Sequence, residues 1–174
     1  MSNILYIDDI TDYSQIANDF SRLFHDVTGK KFNANVAILD DVAIRAYVGE
    51  KKSARIYRHL FSKDSIYIRQ MPIGQMFYEL SHEAGHNAKP HLDNSVFFEE
   101  TKSCLFQYCF SKKIKESSFV WLDDFILFEK IRILDIQLED PEYFLYHQIA
   151  QHVADHTDYD FNKGANLIKK IYTS

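Results

Sequence analysis

The second half of the chain constrains the fold most, because its apolar residues recur every three or four positions from Pro72 onward. This spacing places them on one face of an α-helix, and proline is well tolerated in the first turn of a helix. The pattern predicts a helix that opens at Pro72, three more over about 94–110, 118–138 and 140–156, and a short terminal helix after Asn162. The segment 118–138 is apolar on nearly every side, so we expect it to be the buried helix.

The first half combines one helix with short strands. Apolar residues at helical spacing predict a helix over about 11–28, and Gly29 is a typical helix stop. Alternating apolar residues on either side of Asp40 and Asp41 predict two short strands joined by a tight turn, and the same alternation predicts a strand over 65–69. Since 174 residues is an ordinary size for one domain, residues 1–174 are expected to form a single α+β domain.

Composition argues against several classes of protein. A net charge of −5, from 20 basic and 25 acidic residues, disfavours nucleic-acid binding as the main activity. Apolar runs stay well below the roughly 18 residues of a membrane span, and the N-terminus lacks a signal-peptide pattern. We therefore expect a cytoplasmic protein with no membrane partner, in which Cys104 and Cys109 are small buried groups rather than a disulfide.

The helix that opens at Pro72 carries the HExxH sequence His82-Glu83-Ala84-Gly85-His86. Residues four apart lie one helical turn above each other, so the two imidazoles can bind one metal ion with the glutamate beside them. These side chains project away from the apolar face of the helix, and the small Ala84–Gly85 pair allows another element to approach closely. The arrangement predicts a metal site, provided that a third ligand is available.

A carboxylate from the next helix would complete a zinc site with one open coordination position, which hydrolysis requires. Glu100 is the preferred third ligand, because its helical neighbours form a packed face, whereas Glu99 has polar neighbours and is expected to face solvent. His91 follows His86 by five residues rather than the six of the extended HExxHxxGxxH motif, and Asp93 is a weaker candidate still.

The segment SHEAGH, followed on the next helix by FFEETKSCLF, resembles the gluzincin zinc metallopeptidases, and most closely the small cytosolic ones of the ImmA/IrrE type. The resemblance covers about residues 65–110. It implies a zincin-like fold, in which an N-terminal helix and a small sheet precede the HExxH helix and a glutamate helix. It also implies that a protein or peptide is the substrate, that Glu83 takes a proton from a metal-activated water, and that Zn²⁺ is held by His82, His86 and Glu100.

Related peptidases stabilise the oxyanion with a downstream His or Tyr, which makes His152 and His156 candidate catalytic residues. They lie on an otherwise apolar stripe of the predicted helix over 140–156, so they could also be structural groups, or a separate metal pair with Asp155 or Asp160. The strand over 65–69 directly precedes the HExxH helix. In zincins this position resembles the edge strand that pairs with an extended substrate.

A second hypothesis retains the fold without the catalysis. The residues after Glu100 depart from the family pattern, with Thr101 and Lys102 in place of the common Ala-Asn and Cys104 in place of an acid. The chain would then be a catalytically weak or inactive zincin-fold protein that acts as a binding or inhibitory partner in a regulatory or mobile-element system. A third hypothesis is a helical adaptor in which HExxH is coincidental. The sequence does not define the oligomeric state.

Overall fold

The computed structural model describes residues 13–49, 54–57, 63–92 and 95–173 of the chain. Within these ranges seven helices accompany one three-stranded sheet, which confirms the α+β class and the helical second half. In chain order the elements are α1 (Tyr13–Thr28), β1 (Ala34–Leu39), α2 (Asp41–Tyr47), β2 (Ala54–Tyr57), β3 (Asp64–Arg69), α3 (Ile73–Asn87), α4 (Val96–Lys115), α5 (Leu122–Glu139), α6 (Pro141–His156) and α7 (Phe161–Thr173).

The sheet has the strand order β1-β3-β2, so β3 is its central strand. β3 pairs with β1 in parallel and with β2 in antiparallel register, and Ile66 faces Val36 on one side and Ile56 on the other. Ile66 and Ile68 are fully buried against the helices. The strand predicted over 65–69 is confirmed, but its assignment as a substrate-binding edge strand is wrong, because both of its edges are already paired. The edge strand beside α3 is β2.

The segment after Asp40 is a helix, so the predicted second strand of a hairpin is wrong. The carboxylate of Asp40 accepts hydrogen bonds from the backbone N–H groups of Val42 at 3.0 Å and Ala43 at 2.8 Å. These bonds satisfy two amides that the first turn of a helix would otherwise leave without partners. Ile44 is the buried residue of α2, and the alternation of apolar residues in this segment does not correspond to a strand.

The buried helix is α4, not α5. α4 packs against α1, α3, α6 and α7, and it buries residues around most of its circumference. α5 instead exposes an apolar stripe on which Leu127 is 57% and Leu138 80% accessible to solvent. The burial of α4 is not evident from its sequence, because the helix contains polar residues. A buried polar group requires partners, and only the folded chain supplies them. Gln107, for example, donates to the backbone oxygen of Tyr78 at 2.9 Å.

Helix ends match the sequence more closely. Gly29 follows α1 with φ of +68°, a conformation that favours glycine, while residues 11 and 12 of the predicted first helix lie outside the described part of the chain. Asp140 is both the C-cap of α5 and the N-cap of α6. At the start of α6 its carboxylate accepts a hydrogen bond of 2.9 Å from the backbone N–H of Tyr143. Cys104 and Cys109 are free and buried, as expected.

Candidate metal centre

α3 and α4 approach closely at the level of the HExxH sequence. A Cβ atom built on Gly85 would lie 2.7 Å from Cα of Ser103 and 2.9 Å from its backbone oxygen, which is too close for any side chain. Glycine therefore allows the two backbones to meet, as the small Ala84–Gly85 pair predicts. Because His86 follows Gly85 and Glu100 precedes Ser103 by one turn, this contact brings the predicted ligands face to face.

His82, His86 and Glu100 converge as the sequence predicts. His82 Nε2 lies 3.2 Å from Glu100 Oε2, and His86 Nε2 lies 3.6 Å from Glu100 Oε1. One ligand atom from each of the three residues lies within 4.8 Å of the other two. Four ligands about 2.0–2.1 Å from a tetrahedral zinc ion are roughly 3.3 Å apart, and the two nitrogen–oxygen distances above are close to that value.

Glu99 is buried, and the expectation that it faces solvent is wrong. Its Oε1 lies 3.3 Å from His86 Nδ1 and accepts a hydrogen bond from Lys102 Nζ at 2.8 Å, while its Oε2 accepts from the backbone N–H of Leu92 at 2.8 Å. Burial alone would raise the pKa of this carboxyl, but the hydrogen bond with His86 and the charge of Lys102 hold the pKa well below its usual range. Glu99 is thus a carboxylate behind His86 rather than a candidate ligand.

His82 has polar neighbours from two other helices. The hydroxyl of Tyr143 on α6 lies 3.1 Å from Nε2 and 3.3 Å from Nδ1, and the buried thiol of Cys104 on α4 hydrogen-bonds to the same imidazole. Burial by itself lowers the pKa of His82, but hydrogen bonds with Cys104 and Glu100 raise it well above its ordinary value. Binding of a metal at His82 requires a ring nitrogen without a proton, so metal binding and protonation of this imidazole compete.

Glu83 lies where the motif helix meets the sheet edge. Its Oε2 accepts a hydrogen bond of 2.7 Å from the backbone N–H of Ile56, on the outer edge of β2. Glu83 is half-buried and lines the same cleft as His82 and His86. The predicted general base thus lies beside both the candidate metal ligands and the outer edge of β2, where it occupies the amide of Ile56.

The structure does not bring His152 and His156 to this site. Both are exposed on α6, and neither is among the described residues that line the cleft. α6 instead lines the cleft with Tyr143, Tyr146 and His147, and the rings of Tyr143 and His147 have centroids 5.3 Å apart. Burial raises the pKa of Tyr143, and burial with the nearby His82 lowers the pKa of His147 to about 3. Both side chains are therefore neutral hydrogen-bonding groups near pH 7.

These groups line a cleft of about 850 Å³ between β2, α3 and the α5–α6 corner. The α5 side carries Arg132, whose Nε lies 3.2 Å from Oε1 of Glu79 on α3. Burial raises the pKa of Glu79, and the charge of Arg132 opposes that rise. The three candidate ligands His82, His86 and Glu100 lie in the wall of this cleft.

The remaining candidate ligands lie elsewhere. His91 is exposed and lines a different cavity, together with residues of α1 and the α1–β1 connection. Asp93 falls outside the described residues. Sequence reasoning missed Tyr143 and the inner position of Glu99, and a signal for Glu99 was present in Lys102, a basic residue one turn later on the same helix face.

The chain matches no protein-family model, and comparisons with curated proteins and with solved structures also gave no match. In the described part of the chain, no helix combines the length and apolar character needed to cross a membrane.

Proposed function

We propose that this chain is a zinc-dependent metallopeptidase that hydrolyses a protein or peptide substrate. The observation that carries the proposal is the convergence of His82, His86 and Glu100 within 4.8 Å, with Glu83 on the adjacent rim of the same cleft. Two imidazoles and one carboxylate form a common donor set of hydrolytic zinc sites, and they leave a coordination position free. The cytosolic gluzincins that the motif resembles use the same residue types.

The chemistry divides between the cation and the protein. Bound at this donor set, Zn²⁺ supplies a Lewis acid that lowers the pKa of water to about 7. Glu83 then serves as the general base, which takes a proton from the attacking water and delivers it to the leaving amine. The carboxylate of Glu83 is half-buried beside the histidines, close to the reacting centre that this role requires.

Tyr143 is the best candidate for stabilising the developing oxyanion. Its hydroxyl is 3.1 Å from His82 Nε2, so it borders the position where a scissile carbonyl would meet the cation site. Burial keeps the pKa of Tyr143 above its usual value, and the phenol therefore retains its proton and can donate a hydrogen bond. This assignment replaces His152 and His156, which are exposed on another face of α6.

β2 offers a route for recognising an extended peptide. It is the edge strand on the cleft side of the sheet, and Ala54, Arg55 and Ile56 line the cleft. A peptide that adds to such an edge is held through main-chain hydrogen bonds that tolerate many side chains. In this arrangement the scissile bond would cross the His82–His86 wall directly above Glu83.

The test combines zinc analysis with a cleavage assay on a fluorescent mixture of random-sequence peptides. We expect about one zinc per chain, hydrolysis that a chelator abolishes, and restoration on adding zinc back. Glu83→Gln should keep its zinc and lose activity by about 10²–10⁴-fold, since that is the usual contribution of a general base. Glu116→Gln, at the far end of α4 in an exposed pair with Lys113, is the matched control and should behave like wild type.

Each negative result has a separate meaning. A folded wild-type protein that binds no zinc would refute the metal site and the proposed function together. A protein that binds zinc but cleaves nothing in the mixture would refute peptidase activity on exposed peptides. That result would favour the alternative, a zincin-fold binding partner without catalysis.

A further inference from the structure

We propose that Glu99, held by Lys102, is a positioning residue that fixes the imidazole of His86 with its proton on Nδ1 and with Nε2 toward the cation site. The proposal rests on the metal site of the proposed function and assigns a task to the glutamate beside the predicted ligand. Adjacent glutamates on one helix would then have different roles, Glu100 as a ligand and Glu99 as the support of another ligand.

The contacts of Glu99 determine which atom carries the proton. Its Oε1 lies 3.3 Å from His86 Nδ1, and two assigned donors, Lys102 Nζ and the backbone N–H of Leu92, already bond to its two oxygens. A carboxylate surrounded by donors is ionised and can only accept hydrogen bonds. His86 Nδ1 must therefore donate, which leaves the lone pair of a neutral ring on Nε2. That nitrogen is the one 3.6 Å from Glu100 Oε1.

Lys102 explains how a charged Glu99 can be buried. This lysine is completely buried, and its three N–H groups are accounted for by Glu99 Oε1 at 2.8 Å and the backbone oxygens of Ala88 at 2.8 Å and Pro90 at 3.0 Å. A buried charge is costly unless it is paired and hydrogen-bonded, and here both charges meet that condition. The pair therefore keeps Glu99 ionised where water is excluded.

The same pair anchors the chain that leaves the motif helix. Lys102 bonds to the segment 88–90, and Glu99 bonds to the amide of Leu92, so both charges contact the loop that follows His86. The backbone around His86 and its ring are thus restrained from the same point on α4. A metal-binding histidine commonly has a carboxylate at its other nitrogen, and losing that partner typically lowers metal affinity about 10–100-fold.

The first measurement needs no variant. In zinc-free wild-type protein labelled with ¹⁵N, the two imidazole nitrogens of neutral His86 can be distinguished by NMR. We expect the tautomer with the proton on Nδ1. The proton on Nε2, or a mixture of the two tautomers, would overturn the proposal whether or not the protein binds zinc.

The second measurement compares two buried glutamates. Glu99→Gln keeps the shape of the side chain but removes the negative charge that pairs with Lys102 and attracts the Nδ1 proton of His86, and this loss does not depend on which way the amide turns. Glu129→Gln is the matched control, because Glu129 is also buried, pairs with Lys115 and Ser111, and is not among the described residues that line the cleft. We expect the zinc dissociation constant of Glu99→Gln to be about 10–100-fold larger than that of wild type, and the constant of Glu129→Gln to be unchanged.

Equal zinc affinity in the two variants would overturn the positioning role. If the wild-type protein bound no zinc, the proposed function would fail, and the imidazole signals of His86 would still decide between the two tautomers. A protein that cleaves no peptide, but binds zinc more weakly when Glu99 is replaced by glutamine, would support the positioning role and refute the proposed reaction.

Discussion

Replacing Gly85 by alanine tests whether the close crossing of α3 and α4 builds the site. The added Cβ would lie 2.7 Å from Ser103 Cα, where 3.4 Å is the lower limit of ordinary contact, so α4 must retreat by about 0.7 Å. The obstacle is backbone, which cannot rotate away. Glu100 lies one turn earlier on α4, so its 3.6 Å separation from His86 should widen by a similar amount.

The expected loss of stability is the difference between two opposing effects. Overpacking a well-packed contact costs about 1–3 kcal/mol, and a rigid backbone obstacle belongs near the upper end. Alanine recovers about 1 kcal/mol because it favours the helix more than glycine does. We therefore expect Gly85→Ala to lower the free energy of unfolding by about 1–2 kcal/mol. With a slope of about 2 kcal/mol per M, the urea midpoint should fall by roughly 0.5–1 M.

Gly164→Ala provides the control in the same assay. Its Cβ would also meet an atom at 2.7 Å, but that atom is Cδ2 of Leu105, the movable end of a side chain. The helix-propensity gain is the same, and α7 does not contribute to the cleft. The reasoning is refuted if Gly85→Ala is as stable as Gly164→Ala and binds zinc equally well in a chelator competition.

Three further predictions concern single side chains. Tyr143→Phe should lower kcat about 10²–10³-fold with unchanged zinc content, measured by peptide cleavage and metal analysis, and an unchanged kcat would contradict its role. The pKa of Glu99 is lowered from 4.5, so its stabilisation is present at neutral pH and is lost as the pH falls below about 4.5. In urea unfolding between pH 6 and 3, wild-type protein should lose more stability than Glu99→Gln, and parallel curves would contradict this. Asp40→Ala should cost about 1 kcal/mol in the same assay, whereas Asp40→Asn should retain the cap of α2.

The fold was predictable where apolar periodicity is long and uninterrupted. α3, α4 and α6 extend over 15, 20 and 16 residues, enough for the helical repeat to dominate. α2 has only 7 residues, and Ile44 and Ala46 in the helix alternate with its C-cap Val48 as in a strand, while the two hydrogen bonds to Asp40 decide the conformation locally. Burial was less predictable than helicity, because α4 reaches the core with Lys102 and Gln107, whose partners come from distant residues.

The candidate site divides in the same way. His82, Glu83 and His86 are related by the geometry of one helix, so their spacing in the sequence is sufficient to predict their arrangement. Tyr143 lies 61 residues after His82 and reaches it only because α6 packs against α4. The inner position of Glu99 depends on the burial of Lys102, and the spacing of Glu99 and Lys102 in the sequence pairs the two side chains without showing that the pair is buried.

The junction at Asp140 gives the cleft a rigid corner. One residue ends α5 and starts α6, and its carboxylate fixes the amide of Tyr143, so this tyrosine and the Arg132 wall have no flexible linker between them. Each helical residue turns the direction of the side chain by about 100°, and one inserted residue would therefore swing the phenol out of the cleft. A single added residue at this junction would therefore separate Tyr143 from His82 and the candidate metal site.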